Sequence, residues 1–357
     1  MRPYFSLVIP YHNSAGTIGK LLSSISVSKN APPYEIIIVD DGSKLPMTKT
    51  MAQSFVQNRG RKHDVRVITF RRNLGPAAAR NKGAKAGRGK FLVFLDSDVE
   101  VMPDTIHNLA VIYRDDPDVV AVTGVWMKEQ KSKAFFPNYK ALRDWSYWIN
   151  ERDKSGYYYL FSTRIASIKK AVFMRLGGFD ERYPGALVED IELTYRIARR
   201  YAIIFAPNVR VRHEFEGFWP IAKKYFLRAY YWTKLYQRRK KFDPVATTIQ
   251  EAVASISGAG TLVFILLLLI SFLTVFLAMA NNPGKALMTI IGSYYFQGLV
   301  IFFGIFGFFH LLLVRKFLVF LIKEKGIVFA CKGFLTGLVL YLIIALGALA
   351  GRLKNRL

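Results

Sequence analysis

Residues 73–98 read NLGPAAARNKGAKAGRGKFLVFLDSD, and this stretch decides the fold. Phe91–Leu95 is wholly apolar, as a strand buried on both faces must be, and it runs directly into Asp96-Ser97-Asp98. The Ala-rich Pro76–Ala86 ahead of it suits a helix. The same alternation extends in both directions. Ser6–Pro10 (SLVIP), Glu35–Asp40 (EIIIVD), Val65–Phe70 (VRVITF) and Val119–Val125 (VVAVTGV) carry strand signals, and Ala15–Ser26, Lys49–Arg59 and Pro103–Asp115 suit helices. Strict alternation predicts an α/β domain with a parallel sheet covered on both faces, whose ligands bind outside the carboxyl ends of the strands. Polar groups gather at those ends: Pro10-Tyr11-His12-Asn13, Asp40-Asp41-Gly42-Ser43, Arg71-Arg72-Asn73 and Asp96-Ser97-Asp98. From about 128 to 206 the alternation loosens into an aromatic and charged segment (Trp145, Tyr147, Trp148, Tyr157–Tyr159), expected to form the acceptor side of the same domain.

Each polar group has a bland reading beside a chemical one. Asp96 and Asp98, two residues apart at a strand end, can point the same way and offer carboxylate oxygens to one hard cation; isolated acidic pairs are commonly just solvated. Asp-Gly-Ser at 41–43 favours a turn by itself, whereas a strand-end carboxylate can also accept from a base or ribose. Glu189-Asp190 opens the helical stretch Ile191–Arg199, where negative charge stabilises a helix N-terminus by ~0.3–1 kcal/mol. A carboxylate there could equally serve as the general base for an acceptor hydroxyl. His213, after the short strand Val209–Arg212, is either packed or a further cation ligand.

Taken in order, SLVIPYHN (6–13), IIIVDDGS (36–43), residues 73–98, GGFDE (177–181), VEDIELTYR (188–196) and VRH (211–213) resemble the family 2 glycosyltransferases over about residues 4–235. The resemblance implies a GT-A (Rossmann-like) nucleotide-sugar-binding domain and an inverting displacement at the anomeric carbon of a nucleotide diphosphate sugar, with a UDP-linked donor expected. By similarity Pro10, Tyr11, Asn13, Asp40 and Asp41 line the nucleoside pocket, and Arg71, Asn73 and Arg80 lie near base, ribose or phosphate. Asp96 touches ribose or sugar, Asp98 and His213 hold a divalent metal (Mg2+ or Mn2+), and Asp190 is the base. Processive members carry Gln-x-x-Arg-Trp near the end of this region; here the chain reads Phe226-Leu-Arg-Ala-Tyr-Tyr-Trp232, so that motif is absent.

Apolar residues concentrate after position 257. Stretches at about 258–280, 288–314 and 331–351 are each long enough to cross a hydrocarbon core as a helix; the last is uncharged from Gly333 to Gly351. A 52% hydrophobic content fits a catalytic domain (1–215), amphipathic basic and aromatic interface helices (216–257) and a C-terminal α-helical transmembrane module (258–357). The linker Arg315–Lys325 reads as an interfacial helix. The net charge of +26 requires negative partners, and the densest basic run, Lys234–Lys241 (KLYQRRKK), precedes the first apolar span. Anionic membrane lipid and a pyrophosphate-bearing donor are therefore the expected partners, with the acceptor lipid-linked or membrane-proximal.

Met1–Pro10 lacks the pattern of a secretory signal, and the lone Cys331 fits a reducing compartment, so an integral membrane protein with a cytoplasmic catalytic domain is expected. On that topology three crossings would leave Arg352–Arg356 outside, against the positive-inside tendency; a re-entrant last span would remove the conflict. The expected activity is one glycosyl transfer in cell-envelope glycan or glycolipid synthesis. A processive polysaccharide synthase and a catalytically degenerate nucleotide-sugar-binding membrane protein are the alternatives. Nucleic acid is excluded as a partner because the basic residues gather near the apolar spans instead of in a recognition motif. A dinucleotide oxidoreductase is excluded because no Gly-x-Gly-x-x-Gly follows the first strand, and a transporter because the spans hold almost no ionisable residues.

Overall fold

The computed structural model describes residues 2–56, 64–151, 159–183, 185–240, 248–279 and 294–353. Among the sequence expectations, the helix end at 57–59, Tyr157, Tyr158, Lys241, Ala280, the span start at 288–293 and the tail 354–356 lie outside the described residues. The chain divides into two units, Met1–Gly217 and Phe218–Leu357.

In the first unit, β1 (Phe5–Tyr11), α1 (Ala15–Ser26), β2 (Tyr34–Asp40), α2 (Lys49–Val56), β3 (Asp64–Thr69), α3 (Pro76–Ala86) and β4 (Phe91–Leu95) alternate as the sequence requires. These strands pair in parallel in the order β3-β2-β1-β4. Because β2 and β3 lie on one side of β1 and β4 on the other, the strand order reverses at β1, and the crevice beyond the carboxyl ends of β1 and β4 is the switch point of the sheet. Pro10–Asn13 and Asp96–Asp98 sit at those two ends. Strand residues alternate between two cores: Leu7, Ile9, Val93 and Leu95 pack with Ile18, Leu21 and Leu109 on one face. Val8, Leu92 and Phe94 pack with Ala77, Phe173, Phe179 and Leu193 on the other.

Beyond β4 the structure corrects the expectation of a parallel sheet. The further elements are β5 (Val99–Val101), α4 (Thr105–Asp115), β6 (Ala121–Trp126), α5 (Phe135–Ser146), a π-helical turn (Tyr147–Glu151), β7 (Ile165–Lys169), α6 (Lys170–Arg175), α7 (Glu189–Ala198) and β8 (Ile203–His213). β7 runs antiparallel between β4 and β6, β8 is parallel to β6, and β5 closes the edge antiparallel to β8. The sheet is thus eight-stranded and mixed. The sequence Ile165-Ala-Ser-Ile-Lys169 is too short and too small-sided to announce a central strand, and the segment expected as Val209–Arg212 is only the end of an 11-residue strand.

At the amino ends of the strands, Glu35 is buried and accepts from the Ser6 hydroxyl at 2.6 Å, from the Arg66 guanidinium at 2.6 Å and from Arg88 Nε at 3.1 Å. Burial alone pushes its carboxyl up, but the Ser6 hydroxyl, the Arg88 N–H and Arg66 outweigh it and hold the pKa below its ordinary value.

The second unit comprises α8 (Phe218–Arg239), α9 (Ile249–Met279), α10 (Tyr294–Lys325) and α11 (Ile327–Leu353). The last three contain stretches, Ile249–Leu277, Tyr294–Lys325 and Ile327–Leu353, long and apolar enough to cross a membrane. The expected interfacial linker Arg315–Lys325 is instead the final part of continuous α10, and the third apolar helix begins at Ile327. α8 and α11 approach closely: a Cβ at Gly347 would lie 2.4 Å from the Phe226 carbonyl oxygen, and one at Gly351 2.6 Å from that of Tyr230. Glycines four apart on one helix face thus let two backbones touch. Between the apolar helices His310 is buried, 3.1 Å from the Ser257 hydroxyl, with the Tyr341 ring 5.3 Å away.

Because the folded pKa of Glu35 is depressed, its contribution to stability is present above the ordinary value of 4.5 and is lost as pH falls through the folded value. Thermal unfolding of Glu35→Gln should show a lower midpoint than the parent at pH 7, with the difference narrowing on acidification below about pH 4.5. An undiminished difference at low pH would show that Glu35 contributes by shape alone.

Candidate active site

The loops after β1, β2 and β3 are knitted together before any ligand is considered. Asp40 is buried, and both its oxygens are used: Oδ1 accepts from the Ser43 N–H at 2.9 Å and Oδ2 from the Met47 N–H at 2.8 Å. Asp41, also buried, reaches across to the start of α3, accepting from the Leu74 and Gly75 N–H groups at 2.6 and 2.9 Å. Gly42 has φ +66°, and a Cβ there would stand 2.5 Å from the Arg72 carbonyl carbon, so the β2 and β3 loops meet only because this residue has no side chain. The two aspartates expected to line a nucleoside pocket therefore have their oxygens engaged by backbone N–H groups.

Asn13, at φ 52°, does reach the surface; its N–H donates to Ser43 Oγ at 3.0 Å and its Oδ1 accepts from the Lys44 N–H at 2.9 Å. Beside it His12 donates from Nδ1 to the Asp41 carbonyl at 2.8 Å and receives the Asn13 amide on Nε2 at 3.0 Å. His12 and Ser43 were not singled out from sequence, although both lie inside the quoted motifs. Pro10 is half-buried, and Tyr11 is buried with its hydroxyl donating to the Leu45 carbonyl at 3.3 Å. Burial, then Asp40, raise the Tyr11 pKa, which keeps it a neutral donor. Arg71 and Asn73 are exposed, and Asn73 Oδ1 also accepts from the Gly75 N–H at 3.0 Å.

Arg80 departs most from expectation. Its side chain is 2% exposed, donating from Nη2 to Asp96 Oδ1 at 2.7 Å and from Nη1 to Glu189 Oε1 at 2.8 Å. Burial pulls its pKa down, but Asp96 and Glu189 outweigh burial and hold the guanidinium above its ordinary value. Its Nε is buried without a hydrogen-bond partner. Glu189, unassigned from sequence, is its buried partner. The adjacent Asn81 receives the Phe179 N–H at 2.8 Å and donates to the Phe179 carbonyl at 2.9 Å and to Glu181 at 2.8 Å. A Cβ on Gly178, φ +72°, would meet Asn81 Oδ1 at 2.4 Å, which accounts for glycine in the GGFDE segment.

Asp98 and His213 are brought together by a strand pair that the sequence did not announce. β5 and β8 pair with Val99 opposite His213, which sets Asp98 Oδ2 3.2 Å from His213 Nε2. Asp98 is 47% exposed and His213 13%. Behind the imidazole stand Phe215 and Trp126, with ring centroids 4.6 and 5.4 Å away, and Arg164 lies over Trp126 at 4.5 Å and over Trp148 at 4.4 Å. His213 Nδ1 is buried without a hydrogen-bond partner. A carboxylate oxygen and an imidazole nitrogen converging at a strand end form a donor set suited to Mg2+ or Mn2+. Among the described residues no group of three or more such side chains exists, so a cation here would need oxygens from a ligand. Asp190 is partly buried in the first turn of α7, where Oδ1 accepts from the Ile191 N–H at 2.8 Å.

A Rossmann-like parallel sheet extended by antiparallel strands, with a crevice beyond the carboxyl ends of β1 and β4, is the arrangement of the GT-A fold. Residues 6–176, within the first unit, match the family described as Glycosyl transferase family 2. The chain is 33% identical over 130 residues to the succinoglycan biosynthesis protein ExoO of Rhizobium meliloti, covering 34% of this chain and 35% of that protein. It is 29% identical over 215 residues to a pre-mycofactocin glycosyltransferase of Mycobacterium tuberculosis, covering 58% and 42%. Its matches span between 35% and 55% of the length of the first curated relatives. A mannosyltransferase from Pyrobaculum calidifontis, solved in complex with GDP-Man and Mn2+, shares the fold at a TM-score of 0.54 and 16% identity, covering 100% of this chain and 89% of that one.

Proposed function

We propose that the protein is a membrane-bound inverting glycosyltransferase that moves one sugar from a nucleotide diphosphate donor, UDP-linked in the first instance, to a lipid-linked or membrane-proximal acceptor. The observation that carries this reading is the Asp98–His213 pair, 3.2 Å apart, with Asp98 just beyond the carboxyl end of β4. The Mn2+ and GDP-Man of the P. calidifontis protein, which shares the fold, agree with it.

In this reading the nucleoside lies over the floor built by Asp40 and Asp41, between Pro10, Asn13 and the exposed Arg71 and Asn73. Asp96 has 31% of its side chain exposed and offers its outward oxygen to ribose or sugar. Asp98 and His213 would hold Mg2+ or Mn2+, which when bound offsets negative charge on the diphosphate. Asp190 takes the proton from the acceptor hydroxyl. The acceptor oxygen then bonds to the anomeric carbon from the face opposite the leaving group, the bond to the diphosphate oxygen breaks, and the configuration inverts. Arg80, being buried, does not share in binding the phosphates. The aromatic and basic α8 lies at the headgroups of anionic lipids on the cytoplasmic face. Because Gly347 and Gly351 pack on α8, the C-terminal end of α11 belongs on that same face, which satisfies the positive-inside tendency for Arg352.

Two experiments test these assignments. In detergent-solubilised protein, Asp190→Asn should bind UDP or GDP with Mn2+ as the parent does while transfer drops about a hundredfold or more. Asp98→Ala should weaken Mn2+-dependent nucleotide binding at least about tenfold; near-normal transfer by Asp190→Asn would remove the base from the scheme. In a Cys331→Ser background, Gln237→Cys and Arg352→Cys should both react with an impermeant maleimide only in inside-out vesicles. Labelling of Arg352→Cys from the opposite face would mean that α11 crosses.

A further inference from the structure

Arg80 joins two segments that the sequence leaves far apart. Its planar guanidinium sends one nitrogen to Asp96, 16 residues away, and the other to Glu189, 109 residues away, at 2.7 and 2.8 Å. Glu189 is held at its second oxygen as well, by the Leu187 N–H at 2.8 Å, so a displacement of its carboxylate moves the backbone of 187–189 with it. The next residue is Asp190. At the other end, Asp96 is two residues from Asp98, which is fixed in turn against His213. The Phe179 ring lies 5.6 Å from the guanidinium carbon and helps to seal it from water.

We infer that Arg80 is a positioning residue that sets the separation between the Asp96–Asp98 loop and the first turn of α7, and so between the metal-holding pair and Asp190. The inference rests on the roles proposed above for Asp98 and Asp190. A rigid fork is needed for this task, because a lysine ammonium keeps the charge but, as a compact point donor, does not fix two carboxylates in one plane. The buried position also makes the bridge stiff: a guanidinium without water must keep both partners, since leaving either carboxylate uncompensated is strongly unfavourable. Glu189 is buried, with its two oxygens bonded to Arg80 and the Leu187 N–H. Any effect of changing it on the Asp96 loop must pass through Arg80.

The test uses the full chain in detergent, with hydrogen exchange followed by mass spectrometry at 95–101 and 186–192. Arg80→Lys, Glu189→Gln and, as a control, Asp190→Asn are compared with the parent. Glu189→Gln preserves shape and still accepts the Leu187 N–H. It should speed exchange about fivefold or more in both segments while the rest of residues 1–217 stays protected; Asp190→Asn should leave 95–101 unchanged. Arg80→Lys should behave as Glu189→Gln does. Turnover of the donor found active among UDP-, GDP- and dTDP-sugars should fall about tenfold or more with Mn2+·nucleotide affinity within about twofold, a loss in kcat alone. Exchange rising only at 186–192, or uniformly across the unit, overturns the coupling, as does unchanged turnover in a protein whose exchange has risen at both segments. If Asp190→Asn transfers normally but Glu189→Gln still loosens both segments, the mechanical coupling stands and the base assignment falls.

Discussion

A guanidinium excluded from water, with a carboxylate on each side, is the constraint around which the catalytic unit is arranged. Arg80 lies on α3 in the middle of the helix, and the helix is fastened at several places by side chains from elsewhere. Asp41 accepts the N–H groups at its start, Arg80 grips Asp96 and Glu189, and Asn81 binds the loop around Phe179. Five motifs scattered over more than 140 positions are therefore parts of one bracket: DDGS, NLGPAAARN, DSD, GGFDE and VED all meet on α3. A buried ion bridge of this kind is a poor source of net stability, because desolvation offsets much of the attraction. Its value is geometric. It leaves one arrangement in which both carboxylates share the guanidinium.

The sequence made the outline of this unit readable and concealed its internal connections. Apolar runs ending in acidic or amide residues announce both a buried strand and the edge where a ligand binds, so β1 to β4 and the cluster of strand-end groups could be recognised. What a linear pattern does not carry is where each polar side chain directs its hydrogen bonds. Asp40, Asp41 and Arg80 were expected to face the ligand, yet each is consumed by the scaffold: two by backbone N–H groups, one by carboxylates. Glu189 was invisible as a partner because its role depends on a residue 109 positions away. The antiparallel β7 and the three-residue β5 escaped notice because strands of three to five residues are too short to show a period. The register of β5 against β8 nevertheless places Asp98 beside His213.

In the second unit composition alone revealed the helices, and close packing revealed more than composition could. Hydropathy marks α9, α10 and α11 as membrane-length elements, but only the clearance at Gly347 and Gly351 tells that α8 is clamped to the last of them. The contact fixes the orientation of α8 about its own axis. The buried His310 with Ser257 and Tyr341 adds a polar tie among the apolar helices.

The central claim is that one cation is shared by the Asp98–His213 pair and the donor diphosphate. Pulsed electron paramagnetic resonance of Mn2+ bound to the full chain with UDP or GDP examines it directly, because the ion reports each neighbouring nucleus separately. The account predicts a nitrogen-14 coupling that vanishes in His213→Ala, together with phosphorus-31 couplings from the nucleotide in the same complex. Phosphorus coupling without nitrogen, or an Mn2+ signal indifferent to the nucleotide, would contradict it.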